Sequence, residues 1–286
     1  MESFAREYRQ FIAEIDVNSR LRMAPTPSGY LHLGNAFNLI LTWLAARGGG
    51  EAPSPALLYL RIDDLDAERK RPEYVQDVFD TLQWLGLDFD QAPVFQSAAE
   101  RQPFYHDLLN RLREQNLLFA CRKSRRDLEP WRGVYPEHFR DQGLDLDEPD
   151  VAWRVKTPTD FPMPDFVVRR RDGIPAYQIA SLADDLEMGI THLIRGADLE
   201  ASTQAQRFLA GCLGEHRFEA IRFLHHPLLL DAEGGKLSKS AGSTSLKHLR
   251  ESGQSSQQVF EKLGLWLGLE AFSAEELMTA IQSRIG

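Results

Sequence analysis

The sequence predicts an α/β fold built on a doubly wound parallel sheet. Three observations carry this. The apolar run Leu21–Pro25 passes through a loop rich in Pro and Gly, Pro25–Gly34, into a strongly apolar helix over Ala36–Ala46, the strand–loop–helix order of a doubly wound sheet. Leu57–Ile62 is a compact apolar run, suited to a strand buried on both faces. Strand-like runs at Asp165–Arg170, Ile190–Arg195 and Ile221–His225 follow, the last two separated by a helical pattern over Ser202–Leu213, with no internal repeat, so strands alternate with helices.

The remaining elements follow in order. Phe4, Tyr8, Phe11, Ile12 and Ile15 fall at helical spacing, which predicts an amphipathic N-terminal helix packed on the main body. Residues 47–55 are a Gly/Pro turn. Val75, Val78, Phe79, Leu82 and Leu85 mark a helix that Gly86 ends, and Phe104, Leu108, Leu109 and Leu112 mark another. Over 121–164 periodicity fades, charges crowd and Pro and Gly recur, which predicts an inserted, loop-rich subdomain. Asp172-Gly173 is a turn, and Ser202–Leu213 a helix. Ile221–His225 feeds a polar loop over 231–244. Short helices with apolar positions Val259, Phe260, Leu263, Leu267, Leu277 and Ile281 close the chain. The segmentation expected is 1–20 as an N-terminal helical extension, 21–120 and 165–244 as two halves of a core domain, 121–164 as the insertion and 245–286 as a short helical C-terminal segment.

Composition narrows the function. With 43% hydrophobic residues the chain is not mostly disordered. There is no apolar run long enough to cross a membrane, and Glu2, Arg6, Glu7, Arg9 and Glu14 interrupt any signal-peptide core. Two cysteines, Cys121 and Cys212, without a CxxC, exclude a disulfide framework, and a cytoplasmic location is expected. The net charge of −9 means that any nucleic acid must be met by a local basic face. Arg122, Lys123, Arg125 and Arg126 in the insertion, and Arg169, Arg170 and Arg171 beyond it, are the candidates. Each group reads equally well as a solvated charged loop.

The chemistry concentrates between the first strand and the first helix, in the run Arg22-Met23-Ala24-Pro25-Thr26-Pro27-Ser28-Gly29-Tyr30-Leu31-His32-Leu33-Gly34-Asn35. In an open α/β sheet a ligand binds beyond the carboxyl ends of the strands. Gly29 and Gly34 allow close backbone approach, the helix N-terminus favours an anion, and His32 offers a hydrogen bond to a phosphate oxygen. About 200 residues further on, the polar loop contains Lys236-Leu237-Ser238-Lys239-Ser240. Two lysines and two serines suit a triphosphate whose charge must be neutralised as pyrophosphate leaves.

The two strings together resemble the paired signatures of class I aminoacyl-tRNA synthetases of the glutamyl/glutaminyl subgroup. Arg61-Ile62-Asp63-Asp64-Leu65-Asp66, Ala176-Tyr177-Gln178 and the run from Ile190 to Asp198 are similar to that subgroup too. The resemblance spans roughly residues 20 to 250 and implies a Rossmann-like catalytic domain, with the insertion as an acceptor-binding-type subdomain. It implies that Arg22, Thr26, Asp63, Tyr177 and Arg195 hold the amino acid. ATP, taken with Mg²⁺, falls to His32, Gly34, Asn35, Lys236, Ser238 and Lys239, with His32 and Lys239 as the catalytic pair. An arginine at position 195 separates glutamyl from glutaminyl enzymes in the family, since a guanidinium holds a side-chain carboxylate in a way that a neutral amide does not reproduce. Asp63 departs from the Glu usual in glutamyl enzymes, and its carboxylate sits one bond length further in.

Residues 241–286 leave no space for the helical anticodon-binding domains of a discriminating glutamyl-tRNA synthetase. The set therefore looks most like the glutamyl-queuosine tRNA(Asp) synthetases, catalytic-domain-only ligases. Membership implies activation of L-glutamate to glutamyl-adenylate and transfer to the queuosine base in the tRNA(Asp) anticodon stem-loop, by a monomer that has no membrane partner. The family often carries zinc in the insertion, at positions that here read Cys121, Lys123, Tyr135 and Phe139. One thiolate and one phenol do not make a tetrahedral site, so no zinc and no other protein-bound metal is expected. Two rival readings stay open: a glutamate-activating ligase with a carrier-protein or small-molecule acceptor, and a non-catalytic paralogue that acts as a binding protein.

Overall fold

In the computed structural model, the residues described are 2–48, 56–124, 126–132, 134–229, 245–269, 271 and 273–282. The chain divides into two compact units. One comprises Met1–Gln96, Ile190–Asp198 and Ile221–Gly286, and the other Ser97–Gly189 and Leu199–Ala220.

The first unit opens with helix α1 (Glu2–Ala13), followed by strand β1 (Arg20–Met23), helix α2 (Leu33–Gly48), strand β2 (Leu57–Ile62), helix α3 (Pro72–Leu85) and the short strand β3 (Val94–Phe95). β1, β2 and β3 pair in that order and in parallel, with Leu21 opposite Leu58 and Arg61 opposite Val94. The chain returns to this unit as β7 (His192–Gly196) and β8 (Arg222–His226), again a parallel pair. Thr191 stitches the two sheets together: its N–H donates to the Arg20 carbonyl at 2.9 Å, and its Oγ1 accepts from the Arg20 N–H at 2.9 Å. The resulting order, 3-2-1-7-8, reverses at β1, the arrangement of a doubly wound nucleotide-binding sheet.

Burial explains the strand identities. Leu21, Met23, Leu58, Leu60 and Ile62 are fully buried on one face of the two strands, and the other face buries Arg22 and Arg61. α2 is apolar nearly all round because it crosses this sheet with Phe37, Ile40, Leu41 and Leu44 buried. It begins at Leu33, three residues before the apolar pattern expected from sequence. Helices α8 (Leu246–Glu251), α9 (Gln257–Leu267) and α10 (Ala274–Gln282) complete the unit. α9 packs against α1 and α2, with Trp266 centred 5.2 Å from the Phe4 ring. The apolar stripe of the N-terminal helix is thus core, as its spacing predicts.

The second unit contains α4 (Gln102–Glu114), the antiparallel sheet β4 (Leu118–Cys121), β5 (Ala152–Val155) and β6 (Val167–Arg169), and helices α5 (Tyr177–Glu187), α6 (Glu200–Leu213) and α7 (His216–Glu219). Sequence reading leaves β5 inside the loop-rich stretch and finds no helix at α5. β5 is held by distant partners, with Trp153 stacked by the guanidinium groups of Arg113 and Arg169 at 5.7 and 4.8 Å. α5 carries the buried Asp184, which binds Arg101 at 2.6 Å and the Tyr105 hydroxyl at 3.0 Å. A buried carboxylate needs such partners, and neither is near it in sequence. The turn at Asp172-Gly173 is present, with Gly173 at φ 87° and its N–H donating to the Arg170 carbonyl. Among the described residues, no helix is long and apolar enough to cross a membrane.

Candidate active site

The site is assembled around the strand-order reversal. Arg22 on β1 and Arg195 on β7 belong to neighbouring strands and are 5% and 2% exposed. Both guanidinium groups are carried near the carboxyl ends of parallel strands, where a ligand binds in an open α/β sheet. The Arg195 guanidinium lies 5.1 Å from the centroid of the Phe223 ring on β8, which orients the fork.

From the end of β1 the chain runs through Pro25 and Thr26 into the loop before α2. The Asp63 N–H donates to the Pro25 carbonyl at 3.1 Å and the Ser28 N–H to the Thr26 carbonyl at 2.9 Å. Pro25 is thus tied to the end of β2, while Thr26 itself is exposed. His32 is fixed by local bonds. Its N–H donates to Asn35 Oδ1 at 3.0 Å, its carbonyl accepts from the Asn35 N–H at 2.9 Å, and its Nδ1 accepts from the Gly34 N–H at 3.1 Å. With Nδ1 accepting, the proton of the neutral ring sits on Nε2. A Cβ at Gly34 would stand 3.0 Å from His32 Cε1, so glycine is what lets the ring lie over the start of α2. The first turn of α2 contains no acidic residue, which leaves its N-terminal dipole available to an anion.

Asp63, at the exit of β2, is held by Arg61: Nε to Oδ1 at 2.6 Å and a terminal nitrogen to Oδ2 at 3.1 Å. Arg61 is fully buried. Residues i and i+2 of a strand face the same side, so this bidentate pair follows from the extended backbone. The shorter aspartate is therefore engaged by an arginine through both of its oxygens. The next residue, Asp64, binds Lys70 Nζ at 2.6 Å.

Tyr177 belongs to the second unit, where it opens α5 and is half-buried. The preceding Ala176 N–H donates to the Val168 carbonyl at 2.9 Å. Lys236, Ser238 and Lys239 lie outside the described residues, as does Arg125 of the basic cluster. Arg122 of that cluster is paired with Glu148 at 2.9 Å, and Arg170 of the later arginine triple with Asp172 at 2.7 Å, which reduces the charge either group presents to phosphate.

One element of the site was not read from sequence. Asn38, one turn into α2, donates from Nδ2 to the Ile194 carbonyl at 3.2 Å and lies 3.3 Å from His226 Nε2. His226 Nδ1 lies 2.9 Å from the Pro227 carbonyl and so carries the ring proton, which leaves Nε2 to accept from Asn38. Burial lowers the pKa of His226, against smaller opposing effects from that carbonyl and Asp198, and keeps the ring neutral. Asn38 thereby links α2 to the ends of β7 and β8. The signal was an amide, Asn38, within the apolar stretch Ala36–Leu41 of the helix.

The insertion positions where the family resemblance implies zinc do not fit the ion. Tyr135 Oη lies 3.2 Å from Cys121 Sγ and accepts from Gln142 Nε2 at 2.8 Å. Lys123 Nζ sits 4.7 Å above the Phe139 ring, so a cation and an aromatic face meet where two thiolates are required. Burial, with Cys121 beside it, pushes the Tyr135 phenol far above its usual range, which disfavours the phenolate that a metal needs. Burial raises the Cys121 thiol, but the Tyr135 hydroxyl and the Arg154 charge outweigh it and bring its pKa down.

Comparison with known proteins agrees with this geometry. The family model for the catalytic domain of class I tRNA synthetases (E and Q) matches residues 18–146 and 144–284. A glutamyl-Q tRNA(Asp) synthetase of Synechococcus sp. (strain CC9605) is 42% identical over 91% of this chain and 88% of its own length. The enzyme of the same name from Parasynechococcus marenigrum (strain WH8102) is 42% identical over 88% and 84%. The crystal structure of a glutamate-tRNA synthetase from Elizabethkingia anophelis superposes with a TM-score of 0.74 at 24% identity, covering 92% of this chain and 65% of that one. The sheet order, the loop that presents His32 to the start of α2 and these matches place the chain in the class I glutamate and glutamine tRNA synthetase family.

Proposed function

We propose that the chain is a ligase that activates L-glutamate with ATP and passes the glutamyl group to queuosine in the anticodon of tRNA(Asp). The observation that carries the reading is the pair of buried arginines, Arg22 and Arg195, on neighbouring strands beside the His32 loop. The relatives named glutamyl-Q tRNA(Asp) synthetase support the acceptor.

In the first step the α-carboxylate of glutamate attacks the α-phosphate of ATP, the bond to the β-phosphate breaks, and pyrophosphate leaves. Mg²⁺ enters as part of the nucleotide substrate. Catalysis is positioning plus electrostatics, with no covalent enzyme intermediate. The His32 Nε2–H and the α2 N-terminus stabilise charge on the phosphates, and Lys236, Ser238 and Lys239 supply the remainder. Arg195 holds the side-chain carboxylate, and Arg22, Thr26, Asp63 and Tyr177 hold the amino-acid end. In the second step a ring hydroxyl of queuosine attacks the acyl carbon, AMP leaves and the hydroxyl proton is lost.

Glutamate-dependent ATP–pyrophosphate exchange by the purified chain tests the first step. Strong exchange with glutamate and weak exchange with glutamine is expected. Equal rates with both would remove the role given to Arg195. The reading also includes no zinc: elemental analysis should find far less than one zinc per chain, and activity should survive a chelator once Mg²⁺ is restored. A stoichiometric, chelator-resistant zinc would contradict this and point to His138, next to Phe139, as a substitute ligand.

A further inference from the structure

Leu31, the residue before His32, is gripped at both its backbone groups. Its N–H donates to Asp77 Oδ2 at 3.0 Å, and its carbonyl accepts from the Leu246 N–H at 2.8 Å. Asp77 is 2% exposed, and its second oxygen accepts from an Arg250 terminal nitrogen at 3.1 Å. Arg250 also reaches Thr81 Oγ1 at 3.1 Å and Asp80 at 3.4 Å. The preceding Tyr30 is held in the same way. Lys247 Nζ lies 4.3 Å over its ring and 3.1 Å from its hydroxyl, and the Tyr74 ring meets it edge-on at 5.0 Å.

These contacts share one geometry. Tyr74, Asp77 and Thr81 form a stripe along α3, and Lys247 and Arg250 form another on α8. The Tyr30–Leu31 backbone lies between the two. α8 follows, in sequence, directly upon the segment that contains Lys236 to Ser240. A buried carboxylate is retained only where charge and hydrogen bonds compensate its desolvation. Here both oxygens are used on a backbone N–H and a guanidinium, and neither has a role in substrate recognition.

We propose that Asp77 and Arg250 are positioning residues that fix the His32 imidazole through the Leu31 peptide and tie its loop to the element after the second signature. The proposal rests on the phosphate-side role given to His32 above. Without the clamp, Leu31 would lose its N–H partner, its peptide plane would rotate, and the Nε2–H would spend less time in the productive direction. Small displacements of a preorganised donor carry large rate costs.

The test uses the full chain and four variants: Asp77→Ala, Asp77→Asn, Arg250→Gln and the double Asp77→Ala/His32→Ala. Asp77→Ala should lower the exchange rate roughly tenfold or more, the usual effect of losing a charge-assisted hydrogen bond. The KM for glutamate should stay nearly unchanged. Asp77→Asn, which keeps the acceptor oxygen, should retain more activity than the alanine variant. The double variant should be no slower than His32→Ala alone, because the clamp acts through that ring. Hydrogen–deuterium exchange should show faster exchange in peptides covering residues 30–36 and unchanged protection in β1 and β2. Unchanged protection at 30–36, or losses that multiply in the double variant, would overturn the proposal. If the unaltered chain showed no exchange activity, the glutamate reading would fall, and the amide-protection arm would still decide the clamp.

Discussion

Replacing His32 with alanine lowers the rate of glutamate-dependent ATP–pyrophosphate exchange by roughly 10²–10³, the range for loss of one preorganised transition-state donor. The expectation follows from the bonding of the ring. Nδ1 is occupied by the Gly34 N–H, so the only proton the neutral imidazole can offer is on Nε2. That donor stands at the start of a helix whose first turn has no acidic residue, where the backbone dipole adds to it. Lys239→Ala is expected to reduce the rate over the same ~10²–10³ range. Glutamate affinity should change little in either variant, since neither residue is assigned to the amino acid. Full activity in His32→Ala, measured by single-turnover adenylate formation, would return the loop to a purely structural role.

Arg195→Ala should lower kcat/KM for glutamate by a factor equivalent to about 2–5 kcal/mol, the range for truncating one partner of a buried charge pair. Arg195 is almost wholly buried, with its guanidinium against Phe223. Arg195→Lys keeps the charge and loses the planar fork, so it should recover only part of the loss. Discrimination against glutamine should collapse in the alanine variant, because the selective interaction is with the side-chain carboxylate. Steady-state exchange with the two amino acids side by side measures this. Undiminished discrimination would show that selectivity lies elsewhere in the pocket.

Local physics made part of this legible in advance. β2 was readable residue for residue because none of its residues is exposed and all but Arg61 are apolar or aromatic. The bonding of His32 lies partly within its own loop, on Gly34 and Asn35, residues that the sequence shows beside it. The Arg61–Asp63 pair had a signal that was available and unused: opposite charges two apart on a strand face the same side. Other elements depend on distance. α5 is polar on paper because Asp184 is matched by Arg101 and Tyr105, some 80 positions earlier in the chain. Asp77 looks like any polar residue on an amphipathic helix until Leu31 and Arg250 are brought to it. Asn38 and His226 have the same character. Sequence patterns expose what a residue does to its own element, and they are silent on bonds that only the tertiary fold creates.

The acceptor is the most direct test of the whole account. The chain should be incubated with ATP, Mg²⁺ and radiolabelled glutamate, with bulk tRNA from cells that make queuosine and from cells that do not. The account predicts that label enters only the queuosine-containing tRNA, that nuclease digestion places it in the anticodon loop of tRNA(Asp), and that an isolated queuosine-bearing anticodon stem-loop is labelled too. Label on the 3′-terminal adenosine, transfer that ignores queuosine, or robust adenylate formation with no transfer to any tRNA would contradict it.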